Sequence, residues 1–94
     1  MRTIERATVF KGDFKRVKAN PRHSKDIDIL LRDALSLLLN DQPLPANHRD
    51  HDLTGNWFGY RECHLKPDLL LIYRKPDDHT LRLARLGSHS ELFK

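Results

Sequence analysis

The sequence predicts a small α+β domain in which one strand and two helices precede an antiparallel three-strand meander, with the helices packed on one face of the sheet. Ile27, Leu30, Leu31, Ala34, Leu35 and Leu38 recur at i, i+3, i+4, i+7, i+8 and i+11, which is one face of an α-helix. Three strand-like segments follow, at 57–65, 69–73 and 80–86. Pro67-Asp68 and Pro76-Asp77-Asp78 mark the breaks between them, at 66–68 and 74–79, and connections this short join antiparallel neighbours. A length of 94 residues suits one domain, 1–94, burying roughly 60–65% of its unfolded surface.

Taken in order, residues 2–10 mix Thr3, Ile4, Thr8, Val9 and Phe10 with charges and are expected to form a first strand. Phe10, Phe14 and Val17 at i, i+4 and i+7 predict a short basic helix over 10–19, ended before Pro21. Ser24 is the expected N-cap of the leucine helix, with Asp26 and Asp28 near its positive end. Pro43 and Pro45 stop helical structure, and the polar stretch 40–56 reads as a loop. In the strand 57–65, alternation places Tyr60, Glu62 and His64 on one face, and Arg61, Cys63 and Leu65 on the other. Leu69–Tyr73 is continuously apolar, as in a central strand covered on both sides. In 80–86, Leu81, Leu83 and Arg85 share a face by the same parity, Gly87 ends the strand, and 88–94 form a tail.

Composition narrows the class. Lys and Arg number 17 against 13 acids, a formal charge of +4. The excess is concentrated: Lys11, Lys15, Arg16, Lys18, Arg22 and Lys25 face a single acid, Asp13. Such a run is either a solvated helix face or a surface for phosphates or an acidic partner. Lys11, Lys15, Arg16 and Lys18 are the candidate RNA contacts. No apolar run approaches the roughly 18 residues of a membrane helix, and the N-terminus lacks a secretory apolar core. A cytoplasmic protein without membrane association is expected. Cys63, the single cysteine, can form no internal disulfide and is expected to be a buried, inert thiol.

Six histidines provide the chemistry. His23 and His79 sit at solvent positions, and His48 is ambiguous. His51 precedes the meander, His64 ends its first strand four residues before Asp68, and His89 follows the last strand four residues after Arg85. These places can converge on one edge of the sheet. RNA cleavage by internal attack needs a base for the 2′-hydroxyl, a cation for the phosphorane and an acid for the 5′-oxygen. Histidine suits both proton transfers, and arginine matches phosphate oxygens. His51, His64, Asp68 and His89 are also ligand types for zinc or manganese, so a metal-dependent nuclease stays open, although neither HxxxH nor HExxH occurs.

Four ordered segments resemble the YafQ branch of the RelE-type bacterial toxins. They are Asp50-His51-Asp52-Leu53-Thr54-Gly55-Asn56-Trp57, Gly59-Tyr60-Arg61-Glu62-Cys63-His64, Pro67-Asp68-Leu69-Leu70-Leu71-Ile72-Tyr73 and Arg85-Leu86-Gly87-Ser88-His89-Ser90-Glu91-Leu92-Phe93. The likeness is close over 40–94 and reaches the N-terminal half through element order and the Phe14-Lys15-Arg16 helix. It implies a ribosome-dependent, cofactor-free endoribonuclease toxin that cuts mRNA and is silenced by a cognate antitoxin, the free toxin being monomeric. It also implies functional roles for His51, His64, Asp68, Arg85, His89 and Phe93. Arg85 is expected at the phosphate and His89 at the leaving group. His51, His64 and Asp68 are expected to share base and positioning duties, and Phe93 to stack on a base. Where the family often has an aromatic after the aspartate, this chain has Leu69, which puts base stacking there in doubt. The related ParE-like toxins, which act by binding gyrase, are the non-enzymatic alternative.

Overall fold

The computed structural model of this protein describes residues 1–93. Strand β1 (Thr3–Arg6) leads into helix α1 (Thr8–Ala19) and helix α2 (Ile27–Leu39). Strands β2 (His51–Asp52), β3 (Arg61–Lys66), β4 (Leu69–Arg74) and β5 (Thr80–Gly87) follow, and a short helix α3 (His89–Leu92) closes the chain. The five strands form one sheet in the order β1-β5-β4-β3-β2. The expected meander is β3-β4-β5, antiparallel throughout. β1 joins its outer edge parallel to β5, and β2 joins the other edge antiparallel to β3.

β4 is the spine, and its composition explains why. Leu69, Leu71 and Tyr73 enter the core beneath the two long helices, with Phe10, Val17, Ile27, Leu31, Ala34 and Leu38. Leu70 and Ile72 point to the opposite face, where they pack with Ala84, Leu92, Leu53, Trp57, Tyr60 and Phe93. An element buried on both faces has no polar alternation to show, so it reads as a continuous apolar run. The leucine helix matches its periodicity: Ile27, Leu31, Ala34 and Leu38 are its buried residues.

Several boundaries differ from expectation. Thr8-Val9-Phe10 belongs to α1 and not to the first strand. The Ala7 N–H donates to the Leu83 carbonyl at 3.0 Å, the last rung to β5, and the Ala7 carbonyl then accepts from the Lys11 N–H. Helix geometry places Phe10 inward and leaves Val9 exposed, so packing overrides the β-propensity of the triplet. Ser24 is not the N-cap of α2: residues 21–26 are turns, and Asp26 holds the cap position without a side-chain cap bond. β3 starts four residues later than predicted. Gly55 and Gly59 have φ of 65° and 94°, and the one-turn 3₁₀ segment Gly55–Trp57 lies between them. Trp57 meets the Tyr60 ring edge-on at 5.2 Å and covers the second core. The loop 40–56 contains β2, too short to carry a periodicity, and the tail contains α3.

Arg85 departs from its predicted parity. β5 contains a bulge, because Tyr73 opposes Leu83 whereas Ile72 opposes Arg85, leaving Ala84 as the extra residue. Leu83 and Leu86 stay in the helix-side core, and Arg85 moves to the face of Ile72.

Burial separates two apolar side chains that composition alone cannot rank. Leu71→Ala should lower unfolding free energy by about 2–5 kcal/mol, because Leu71 is fully buried in the central strand. Val9→Ala, at a site 55% exposed, should change it by less than about 0.5 kcal/mol. Urea unfolding midpoints of the two variants test this, and equal losses would contradict the assignment of Val9 to the outer face of α1.

Candidate active site

The open face of the sheet carries a row of residues that crosses four strands. His51 opposes Glu62, Glu62 opposes Ile72, and Ile72 opposes Arg85. The neighbouring row is His64, Leu70 and Gly87. Strands lie about 4.8 Å apart, so Glu62 and Arg85 stand about 10 Å apart at the backbone with apolar β4 between them. Long side chains from both sides can span that width.

The β3 side gathers two imidazoles around one carboxylate. Glu62 is buried, as its parity with Tyr60 and His64 requires. Its Oε1 lies 3.3 Å from His64 Nε2 and 3.8 Å from His51 Nε2. His64 Nδ1 lies 3.3 Å from the Pro67 carbonyl, so both of its nitrogens face acceptors. His51 is half exposed, and its Nδ1 lies 2.6 Å from the Arg49 carbonyl. Glu62 is the member of this group that sequence reasoning missed. Its signal was present: it shares a strand face with His64 two residues away.

A second network holds β2, and therefore His51, against β3. Arg61 donates to Asp52 at 2.6 Å and to Asp50 at 3.1 Å, the two residues flanking His51. The Tyr73 hydroxyl donates to Asp50 at 2.6 Å from the buried core. Burial opposes the Arg61 charge, but the Asp50 hydrogen bond and its charge outweigh it and hold the guanidinium above its ordinary range. Burial, reinforced by Asp50, also holds the Tyr73 phenol above its ordinary value. Arg61 is a structural clamp, in line with its parity. Burial pushes the Cys63 thiol up to about 12, with Asp50 and Glu62 adding to the shift, so it is a neutral thiol with no nucleophilic character near neutral pH.

The β5 side is organised by Asp13. This residue sits three positions after Phe10 and four before Val17, on the buried stripe of α1, and is 3% exposed. β1 ends its pairing opposite Leu83, so β5 beyond that point has a free edge. Asp13 closes it. Oδ2 accepts from the Leu86 N–H at 3.0 Å and from Arg85 Nε at 2.7 Å. Oδ1 accepts from Arg85 Nη2 at 3.3 Å and Arg16 Nη1 at 3.0 Å. Burial pushes this carboxyl up, but the bonds from Arg85, Leu86 and Arg16 prevail and keep it below its ordinary value. The same contact raises the Arg85 guanidinium above its ordinary value against the effect of burial.

Arg16 extends the network to α3. Its Nε pairs with Glu91 Oε2 at 3.0 Å, and Glu91 Oε1 accepts from the Ser88 N–H at 2.8 Å. The Ser88 hydroxyl accepts from the Glu91 N–H in return, a capping box that fixes the first turn of α3. His89 opens this turn, and its ring packs against Phe93 in a tilted pair, 5.0 Å between centroids. A Cβ at Gly87 would stand 3.0 Å from both the Arg16 guanidinium and the Glu91 carboxylate, so a larger residue there would shift this ion pair.

The remaining predicted residues divide. Asp68 lies exposed in the β3–β4 turn and shares a polar pocket with Arg16, Arg22, His23, Ser88 and Ser90, on the α3 side of the site. Leu69 is buried in the helix-side core and presents no surface to a base. Of the four basic residues on α1, only Arg16 reaches the site. Lys18 pairs with Asp28, and Lys11 and Lys15 border an apolar groove with Phe14, Leu31 and Leu35 on the helix side. Among the described residues, no group of three or more His, Cys, Asp or Glu side chains is placed to hold a metal ion.

A five-stranded sheet backed by two helices, with imidazoles and a guanidinium on its open face, has the architecture of a small RelE-type toxin. The chain belongs to the family described as bacterial toxin of type II toxin-antitoxin system, YafQ, whose model matches residues 2–94. It is 42% identical over 92 residues to the mRNA interferase toxin YafQ of Escherichia coli K12, covering 96% of this chain and 98% of that one. YafQ in the crystal structure of the E. coli DinJ-YafQ complex superposes with a TM-score of 0.83 at 41% identity, covering 100% of both chains. A crystal structure of a metal-bound toxin from Helicobacter pylori superposes with a TM-score of 0.86 at 47% identity, covering 99% of this chain and 100% of that one.

The Asp13 carboxyl provides a pH signature. Its folded value lies below 3.8, so its stabilisation is complete above that pH and is lost as pH falls through the lower folded value. Asp13→Asn should therefore flatten the acid limb of the stability-pH curve, measured by urea unfolding between pH 2 and 6 (a range of about four units around the carboxylate pKa). An acid limb as steep as in the wild type would contradict the assignment.

Proposed function

We propose that this protein is an mRNA interferase, an endoribonuclease that cuts mRNA on translating ribosomes in the cytoplasm and is neutralised by a cognate antitoxin. Family membership and the activity named for the E. coli relative support the reaction class. The DinJ-YafQ complex supports an antitoxin partner. The observation that carries the mechanism is the row on the open sheet face, with two imidazoles on Glu62 at one end and Arg85 at the other.

A phosphodiester bound across β4 meets acid–base groups on one side and a cation on the other. On the β3 side, His51 and His64, oriented by Glu62, share the base and positioning duties: one imidazole takes the proton of the 2′-hydroxyl and the other positions it. The 2′-oxygen attacks phosphorus, forming a 2′,3′-cyclic phosphate as the bond to the 5′-oxygen breaks. Arg85 neutralises the phosphorane charge with a planar fork that stays protonated. His89 protonates the departing 5′-oxygen, and Asp68 supports the α3 side of the site. Phe93 offers its face to an unstacked base. Lys11 and Lys15, apart from this face, serve the phosphates of the ribosome or an acidic stretch of the antitoxin. The chemistry assigned to these groups needs no metal.

His89→Ala should abolish growth arrest and lower ribosome-dependent cleavage by about 10²–10⁴-fold, with the far-UV spectrum and unfolding midpoint retained. Full toxicity in a folded His89→Ala protein would overturn the assignment to the leaving group. RNA with a 2′-deoxy sugar at the scissile position should resist cleavage, and cleavage there would exclude 2′-hydroxyl attack. Toxin treated with excess chelator and freed of it before mixing with intact ribosomes and mRNA should cleave at the wild-type rate, and loss of activity restored by added metal would transfer the chemistry to a metal.

A further inference from the structure

We propose that Asp13 is a positioning residue for RNA cleavage, holding the Arg85 guanidinium and, through Arg16 and Glu91, the helix that carries His89 in one fixed relation. The proposal rests on the assignment of Arg85 to the scissile phosphate. A carboxylate in the buried stripe of a helix is costly unless its oxygens are filled, and four donors fill those of Asp13. For folding alone, closing the β5 edge requires only the bond to the Leu86 N–H. The two bonds to Arg85 accomplish something else.

They occupy the Nε and Nη2 edge of the fork. The Nη1 end has no partner among the described residues and remains for a ligand oxygen. Asp13 thus selects which edge of the guanidinium is presented, and prevents a flexible side chain from sweeping the face of Ile72. The second arm runs from Oδ1 through Arg16 to Glu91 and the Ser88 cap. Phosphate clamp and leaving-group acid are thereby referred to one buried atom pair on α1. Displacements of about 1 Å in such groups can cost about 10² in rate.

The test is a double-mutant cycle in a reconstituted ribosome–mRNA cleavage assay under single turnover. Asp13→Asn keeps the shape and an acceptor for the Leu86 N–H, but its amide opposes a guanidinium. Its cleavage rate should fall about 10²-fold, with ribosome affinity changed less than about 3-fold, because the loss falls on the transition state. In an Arg85→Ala background the same substitution should cost clearly less than about 10²-fold, because the Arg85 arm of its effect is already absent and only the arm through Arg16 and Glu91 remains. A wild-type rate in Asp13→Asn, or a full multiplicative loss in the double variant, overturns the positioning role while leaving Arg85 at the phosphate. A wild-type rate in Arg85→Ala removes the phosphate assignment, and the proposal with it. If Asp13→Asn does not fold, Arg85→Lys replaces it. This variant leaves the Leu86 and Arg16 bonds intact and keeps the charge without the fork. A rate as low as that of Arg85→Ala supports positioning, and a near wild-type rate overturns it.

Discussion

The carboxylate of Asp13 is the contact on which the rest of the arrangement turns. β1 covers only the first half of β5, and the exposed edge beyond it needs an acceptor. A strand could provide one, but the chain has already turned into α1 at Thr8. Asp13 meets this need from the helix with a single side chain. Because the same carboxylate binds Arg85 and Arg16, the closure of a sheet edge also sets the geometry of the candidate site. A buried polar group stabilises only when every partner is present, so this network is also a point of vulnerability.

A second lock works at the opposite edge. Asp50, Arg61, Asp52 and Tyr73 fasten a two-residue strand that would have no stability of its own. Its product is the placement of His51 against Glu62. The two locks act on opposite ends of one row, and the apolar strand β4 keeps them at a fixed separation. Packing supplies the rigidity, while polar networks supply the orientation at each end.

Division of the site across β4 has a chemical consequence. The imidazoles around Glu62 and the guanidinium held by Asp13 do not neutralise one another, because two strand spacings separate them. Leu70 and Ile72 form the apolar floor between the two ends and are themselves buried, packed against Leu53, Trp57, Tyr60, Leu92 and Phe93. Placing a guanidinium on this floor required the bulge at Ala84, since strict alternation would have turned Arg85 toward the helices.

The amino-acid sequence by itself determined the leucine helix, the meander with its central strand, the facing of Glu62 and His64 against Cys63 and Leu65, and the motifs that carry His51, His64, Asp68, Arg85, His89 and Phe93. All of these depend on local periodicity or residue identity, which a linear chain displays. The start of α1, the strand β2, the attachment of α3 and the face of Arg85 were decided by tertiary structure. Three depend on a partner far along the chain: Leu83 for Ala7, Glu62 for His51, and the β4 register for the bulge that turns Arg85; α3 has a local signal in the Ser88-x-x-Glu91 capping box, but its attachment depends on Arg16. Asp13 shows the boundary between the two. Its position on the apolar stripe of α1 was legible, but its meaning was not, because a lone acid in a basic run reads as solvated until a strand edge more than seventy residues away is brought against it.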